Sequence, residues 1–107
     1  MDIIVCYKNF KIGKLSFDGK DYIYKSLKDS LAFNKEYGFI DYPLAKVDNE
    51  RFKEIPHFFS TFVDVLIHNI EMSSKLDINL NTDSYFDILY RYAKLPQIKN
   101  TFYYVAK

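Results

Sequence analysis

The stretch Ile3–Tyr24, IIVCYKNFKIGKLSFDGKDYIY, constrains the fold more than any other part of the chain. In Ile3–Lys8, β-branched and aromatic residues alternate with the others at a period of two, which is typical of a β-strand. A second strand-like run begins at Phe10, and a third covers Asp21–Lys25. The stretch therefore predicts three consecutive antiparallel strands, a meander with one face towards the core.

Three short signals mark the irregular positions of this meander. Lys8-Asn9 predicts a tight turn, and Gly13 predicts a bulge or a close backbone approach where a side chain would otherwise stand. Asp18-Gly19 is the strongest hairpin signal in the chain, because a type I′ turn needs positive φ at both central residues. All three signals fit the three-stranded meander that the strand alternation predicts.

Length and composition describe one packed domain. A chain of 107 residues, 49% hydrophobic and 19% aromatic, is long enough to bury a core without disulfides or metals. We expect residues 1–107 to form a single domain, because no linker, repeat or low-complexity tract interrupts them. Cys6 is the only cysteine, so no internal disulfide can form, and we expect it to be a small core residue.

Charge and hydropathy limit the partners and the location. The 15 lysines and arginines are balanced by 14 acidic residues, which gives a net charge of +1. We therefore expect neither direct nucleic-acid binding nor attachment to an anionic membrane, since both need a clustered excess of cations. The N-terminus lacks the features of a signal peptide, and no segment reaches the roughly 18 apolar residues of a membrane span. The expected location is the cytoplasm.

The segments that follow the meander predict short elements. Ser26–Asn34 has helix-like spacing, with Leu31 and Phe33 as the expected inward residues. Tyr37–Tyr42 is rich in aromatic residues and predicts a short fourth strand that ends at a proline. Val47–Ile55 predicts one or two helical turns before the next proline.

Pro56–Leu76 is the longest stretch with helical periodicity. Its apolar stripe recurs at i, i+3, i+4, i+7 and i+11, the pattern of an amphipathic helix with one buried face. The stripe consists of Phe59, Phe62, Val63, Leu66 and Ile70. Phe58, Val65 and Ile67 lie off it, so they are either buried by a wide contact with the sheet or left exposed for a partner.

The last part of the chain predicts one more helix and one more strand. Ser84 and Asp87 have the spacing of a capping box, ahead of apolar residues at i, i+3, i+4 and i+7. The helix should end near Pro96, and Thr101–Val105 predicts a final strand. The whole sequence thus predicts an α+β fold, a small antiparallel sheet of the N-terminal meander plus one or two further strands, packed with two main helices.

No pattern in the sequence predicts catalysis, a cofactor or a metal ion. His57 and His68 would lie about 16 Å apart along one helix, too far to share a metal. The three glycines are too widely spaced for a phosphate-binding loop. Lys8, Lys11 and Lys14 interleave with aromatic residues, as in a nucleic-acid stacking surface, but alternation should place Lys11 on the opposite face from the other two. We interpret them as a solvated sheet face.

Five short motifs occur in the order found in one known family. Val5–Leu15 (VCYKNFKIGKL) is similar to that family's V-x-x-x-N-x-x-x-G-x-L hairpin, and Tyr42–Leu44 (YPL) stands at its Leu-Pro-Leu strand end. Pro56–Phe59 (PHFF) resembles its Pro-Pro-Phe-Phe helix entry. Asp83–Leu89 (DSYFDIL) resembles its Asp-x-Phe-x-Leu-Leu helix, and Phe102–Val105 its closing strand. The chain thus resembles the N-terminal subdomain of the HipA family of serine/threonine kinases, the toxins of bacterial toxin–antitoxin systems.

The resemblance implies a binding function without catalysis. It covers residues 3–106, whereas the ATP-binding loop, catalytic aspartate and metal ligands of the family lie beyond this subdomain. A free-standing copy of the subdomain is the HipS subunit of tripartite HipB–HipS–HipT systems, which neutralises the HipT kinase. The implied partners are a HipT- or HipA-like kinase and, as a candidate third member, a HipB-like DNA-binding protein. Phe62–Leu66 replaces a Pro- and Gly-containing loop of the family, which predicts an unbroken helix there.

The expected contact surface is the aromatic cluster at the start of the long helix. Phe58, Phe59, Phe62 and Ile67 are the candidate partner-binding residues, because clustered aromatic side chains make good anchors. They would dock beside the kinase active site and block its substrate or its closing motion. Core packing of Phe59 and Phe62 is the competing interpretation. Two other functions stay open: a subunit that completes and activates a split kinase, and an orphan domain reused as a general interaction or nucleic-acid module, although the balanced charge argues against nucleic acid.

Overall fold

The predicted N-terminal meander is the centre of the fold. The computed structural model describes residues 1–107 and begins with β1 (Asp2–Tyr7) and β2 (Phe10–Phe17). Lys8 has a φ of 50°, which closes the predicted turn between them. The other elements, in chain order, are β3 (Tyr22–Ser26), α1 (Ser30–Tyr37), β4 (Asn49–Phe52), α2 (His57–His68), α3 (Ile70–Lys75), α4 (Tyr85–Ala93) and β5 (Phe102–Ala106).

The five strands form one antiparallel sheet in the order β4-β3-β2-β1-β5. The meander occupies the middle, and the two later strands are the edges. With four helices, of which α2 and α4 are the longest, this is the predicted α+β architecture, so the fold class is confirmed. No helix is both long enough and apolar enough to cross a lipid bilayer.

The core lies on one face of the sheet. Successive strand residues point to opposite faces, and the core takes Ile3, Val5 and Tyr7 from β1 but not Ile4 or Cys6. The helices contribute Phe33, Phe59, Val63, Leu66, Phe86, Ile88, Leu89 and Ala93. The buried residues of α1, α2 and α4 all belong to this one core, so these helices cover the same face of the sheet and leave the opposite face without a helix layer.

A β-bulge interrupts the pairing of β1 with β2, as Gly13 predicts. Val5 pairs with Gly13, but Cys6 pairs with Lys11, so Ile12 is the extra residue. Because of this extra residue, the side chains on one side of the bulge point to the opposite face of the sheet from the one they would have in a regular strand.

The bulge therefore changes where two lysines of β2 lie. Lys14 pairs with Ile4, and Lys11 pairs with Cys6. Ile4 and Cys6 are two residues apart on β1 and share a face. Lys11 and Lys14 thus point to the same helix-free face, and the expectation that they alternate is wrong.

The β2–β3 hairpin forms with a different turn from the predicted type. Gly19 has a φ of 94° but Asp18 does not have a positive φ, so the turn is not type I′. The Asp18 carboxylate instead accepts hydrogen bonds from the backbone N–H groups of Lys20 and Asp21 at 3.0 and 2.8 Å. The Asp21 amide, followed by the Arg51 guanidinium, lowers the pKa of the Asp18 carboxyl.

Two expectations for the middle of the chain are wrong. Asn49–Phe52 forms edge strand β4 rather than helical turns, because it pairs with Tyr22–Lys25 of β3. Tyr37–Tyr42 forms the end of α1 and turns rather than a strand. Tyr42 is part of the core and Tyr37 packs against it, whereas Phe39 is exposed. In α1, Phe33 is buried as expected, whereas Leu31 is 78% exposed.

The long helix also differs from the prediction. It breaks at Asn69, which has extended backbone angles, and the Asn69 side chain accepts a hydrogen bond from the Met72 amide at the start of α3. Phe62–Leu66 is continuous helix, as predicted. The capping box of α4 is also confirmed, with Ser84 and Asp87 each accepting a 3.1 Å bond from the other's backbone N–H.

Candidate functional site

An open groove of about 1180 Å³ lies along one flank of α2. Three parts of the chain form it: the loop after α1, the segment from the end of β4 into α2, and β5. Its apolar lining consists of Pro43, Leu44, Phe52, Ile55, Pro56, Phe58, Phe62, Val65, Phe102 and Tyr104. Charged or titratable side chains also line it, and these are Asp41, Lys53, Glu54 and His57.

Two adjacent stripes on α2 explain how one short helix serves both the core and the groove. The core stripe is Phe59, Val63 and Leu66, at i, i+4 and i+7. The groove stripe is displaced by one position and consists of Phe58, Thr61, Phe62 and Val65. Because each residue turns the helix by about 100°, neighbouring stripes share one wide apolar surface.

Phe59 belongs to the core, which removes it from the expected partner-binding set. Its side chain has no solvent exposure. Its ring centroid lies 6.5 Å from that of Tyr24 and 6.1 Å from that of Tyr104. A partner cannot reach this ring without unpacking the sheet from α2.

Phe58 and Phe62 are half-buried and line the groove. The Phe58 ring meets the Tyr42 ring edge-on at 5.0 Å and the Phe102 ring at 5.3 Å. The Phe62 ring lies 5.3 Å from the Tyr104 ring. These contacts fix both phenylalanines in place, so the groove is formed before any partner arrives.

Ile67 lies away from the groove. It follows Phe58 by nine residues, which places it about 180° around the helix. There it lines a smaller pocket with Ile70 and Ile78. The structure therefore brings together two of the four expected residues, Phe58 and Phe62, and places the other two elsewhere.

Three tyrosines in or next to the groove are uncharged. Burial raises the pKa of Tyr42, and the adjacent Tyr24 raises it further. The hydroxyl oxygens of these two residues are 2.7 Å apart and share a hydrogen bond. Burial also raises the pKa of Tyr104. All three rings stay neutral at physiological pH; Tyr104 lines the groove, and Tyr42 packs against its lining residue Phe58.

Most of the apolar lining residues were missing from the expected set, among them Phe102, Tyr104 and Val65. Phe102 and Tyr104 lie on one face of β5, and Val65 is 61% exposed on α2. The period-two spacing of Phe102 and Tyr104 indicates that they share a face, which is the signal that could have found them. Their position opposite Phe58 depends on tertiary packing, which local patterns do not encode.

No histidine, cysteine or carboxylate cluster of three or more members converges on a common point that could hold a metal ion. His57 lines the groove, and a ring nitrogen of His68 lies 2.8 Å from the carbonyl oxygen of Asp64. The groove therefore offers apolar contact area and a few titratable groups, which suits the binding of another molecule's apolar side chains.

No protein-family model, curated protein or solved structure matches this chain. The groove is lined in part by motifs on which the expected resemblance to the HipA N-terminal subdomain rests. Three of the five motifs line it: Tyr42–Leu44 through Pro43 and Leu44, Pro56–Phe59 through its first three residues, and Phe102–Val105 through Phe102 and Tyr104. Segments that are far apart in the sequence thus meet at one surface.

Proposed function

We propose that this chain is a HipS-like antitoxin subunit with no catalysis of its own, which binds a HipT- or HipA-type serine/threonine kinase through the groove beside α2. Binding neutralises the kinase by occluding its active site or blocking its closing motion. The observation that carries the proposal is the convergence of three HipA-like motifs on one open apolar groove.

The chemistry of the groove fits a protein partner. Protein interfaces place aromatic and aliphatic anchors at a water-excluded centre and polar groups at the rim. Here Phe58, Phe62 and Val65 supply the centre, while Lys53 and Glu54 supply charges of both signs among the lining residues. A partner side chain of the aromatic or branched aliphatic type would complete this surface.

The proposed setting is the bacterial cytoplasm, where the kinase partner acts. A HipB-like DNA-binding protein is the proposed third member of the complex. Both statements rest on the motif resemblance, and the groove itself accounts only for contact with the kinase.

A second function uses the same groove with the opposite result. The chain would then complete and activate a split HipA-like kinase, since the resembled subdomain is part of the kinase in the full-length family. Kinase activity measured with and without this chain separates the two: inhibition supports the antitoxin, and dependence on the chain supports the activating subunit. An orphan interaction module would neither inhibit the kinase nor be required for its activity.

The test is affinity purification of the tagged protein from its own cells, followed by a phosphorylation assay of any kinase recovered. We expect a HipT-like kinase to co-purify and its activity to fall as more of this protein is added. Recovery of no kinase, or of a kinase indifferent to the chain, would overturn the proposal.

A matched pair of variants tests the groove itself. Val65→Glu places a charge in the groove and should weaken kinase binding by about tenfold or more. Ile70→Glu makes the same kind of change at a β-branched residue that is 88% exposed and outside the groove, and it should leave binding unchanged. Equal effects of the two variants would place the contact elsewhere.

A further inference from the structure

The helix-free face of the sheet carries lysines that have no acidic partner. Lys14 and Lys25 are direct cross-strand partners on β2 and β3, and Lys11 lies on the same face next to Cys6. None of the three lysines takes part in an ion pair, because the ion pairs of the protein use Arg51, Lys53 and Arg91. Like charges placed directly opposite one another repel, so this arrangement lacks an internal structural benefit.

A fourth lysine and an aromatic ring extend this surface across β1. Tyr103 pairs with Cys6, so its ring lies on the helix-free face, where the hydroxyl donates to the carbonyl oxygen of Lys8 at 2.8 Å. The Lys99 ammonium lies 5.7 Å from the centroid of the Tyr103 ring. Burial raises the pKa of the Cys6 thiol, and the hydrogen bond with Tyr103 and the charges of Lys11 and Lys99 oppose this shift.

The β-bulge is responsible for this clustering. Without the extra residue Ile12, Lys11 would face the helix layer and Lys14 the open side. Lys8, which precedes the bulge, turns to the helix side, where its ammonium lies 3.2 Å from the Tyr37 hydroxyl. A net charge of +1 for the whole chain therefore conceals a local excess of cations on this face.

We propose that this face binds single-stranded nucleic acid. The ammonium groups of Lys11, Lys14, Lys25 and Lys99 contact backbone phosphates, and the Tyr103 ring stacks on a base. This second function is independent of kinase binding, since none of these residues lines the groove.

The small exposed apolar area of this face favours nucleic acid over an acidic protein. Ile4 and Cys6 are both buried, and Val105, which pairs with Ile4, is 38% exposed, so the face offers little of the aliphatic anchor area that protein interfaces use. Two carboxylates border the surface: Asp2 lies at the start of β1, and Asp29 accepts a hydrogen bond from the Lys11 backbone N–H at 3.0 Å. The four ammonium groups of this face take part in no ion pair and outnumber these two carboxylates.

Fluorescence anisotropy with labelled single-stranded RNA and DNA oligonucleotides of mixed sequence tests this proposal. For four phosphate contacts, the slope of log K against log[salt] should be about −2 to −3, because each contact on a single strand contributes about 0.7. The RNA and DNA arms identify which polymer is preferred. Binding that is absent at low salt, or insensitive to salt, would overturn the proposal.

A pair of double variants with equal charge change locates the site. Lys14→Gln/Lys25→Gln should lower the affinity at low salt by about tenfold or more and reduce the slope by about 1.4. Lys46→Gln/Lys75→Gln, at exposed and unpaired lysines off this face, should change neither. Equal losses of affinity in the two double variants would show that the oligonucleotide is attracted by the overall charge and not bound at this face, which would contradict the proposal.

Two further measurements complete the test. Tyr103→Leu should weaken binding while leaving the salt slope unchanged, since the ring contacts no phosphate. Its thermal unfolding is compared with that of the original protein, so that a folding defect is recognised. Tighter, face-dependent binding of a glutamate-rich peptide than of either oligonucleotide would assign the surface to an acidic protein and overturn the nucleic-acid proposal.

Discussion

The ring of Tyr24 crosses the backbone at Gly13 so closely that a Cβ atom there would lie 2.0 Å from the Tyr24 hydroxyl oxygen. The glycine is therefore required by close approach, and its backbone φ is not positive. The same hydroxyl shares a hydrogen bond with Tyr42, whose ring packs on Phe58 at 5.0 Å. The bulge in β2 is thus connected through Tyr24 and Tyr42 to Phe58, which lines the groove on α2.

Gly13→Ala should destabilise the protein by about 1–3 kcal/mol, because the added methyl group cannot fit unless Tyr24 or the strand moves. The midpoint and slope of urea unfolding measure the change. Ser16→Ala is the control, since it lies on the same strand but on the helix-free face, and it should change stability by less than about 0.5 kcal/mol. A Gly13→Ala midpoint equal to that of the control would mean that the Tyr24 ring moves aside freely.

Tyr42→Phe should cost about 1–3 kcal/mol, because it leaves the buried Tyr24 hydroxyl without its partner. Tyr24→Phe/Tyr42→Phe removes both hydroxyls and should be less destabilising than the sum of the single variants. Urea unfolding of all four proteins gives the coupling energy. Strict additivity would show that the two hydroxyls do not interact in solution.

Stability should fall at alkaline pH. Burial raises the pKa of Tyr24, Tyr42 and Tyr104 in the folded protein, whereas an unfolded tyrosine titrates near pH 10. The folded state therefore holds protons that the unfolded state releases, so the stability is fully present below about pH 10 and decreases as the pH rises further. Unfolding monitored by circular dichroism should coincide with the tyrosinate absorbance of these residues. Tyrosinate formation by all ten tyrosines before unfolding would contradict this expectation.

Local signals predicted the elements that depend on local chemistry. The alternation in β1, the Asp18-Gly19 hairpin and the Ser84 capping box all involve residues close together in sequence, and the structure contains each element. The turn type at Asp18 was wrong, because its side chain hydrogen-bonds to the loop amides and replaces the tighter turn.

Features that depend on distant contacts were not predictable in the same way. Asn49–Phe52 (NERF) has no strand pattern of its own, and its conformation follows from pairing with β3 and from the 2.8 Å bond between Arg51 and Asp18. The face of the sheet to which Lys11 points depends on which residue is the extra one in the bulge. The groove likewise depends on β5 lying beside Phe58, across more than forty residues of sequence.

The Gln97 side chain hydrogen-bonds to the outer edge of β5, where a further strand would otherwise pair. Its side-chain oxygen accepts a hydrogen bond from the Tyr104 backbone N–H at 3.0 Å, and its side-chain nitrogen donates to the Tyr104 carbonyl oxygen at 2.8 Å. The two backbone groups of Tyr104 that face the outer edge are therefore occupied.

Gln97→Ala should expose this edge to pairing with other chains, because it frees one donor and one acceptor of Tyr104 at the same place. We expect concentration-dependent association, measured by light scattering, together with a loss of about 1–3 kcal/mol in the free energy of unfolding. Gln97→Glu keeps the acceptor but loses the donor, so its effect should be intermediate. A Gln97→Ala protein that stays as monodisperse as the original would mean that the short edge of β5 is protected by its own twist rather than by Gln97.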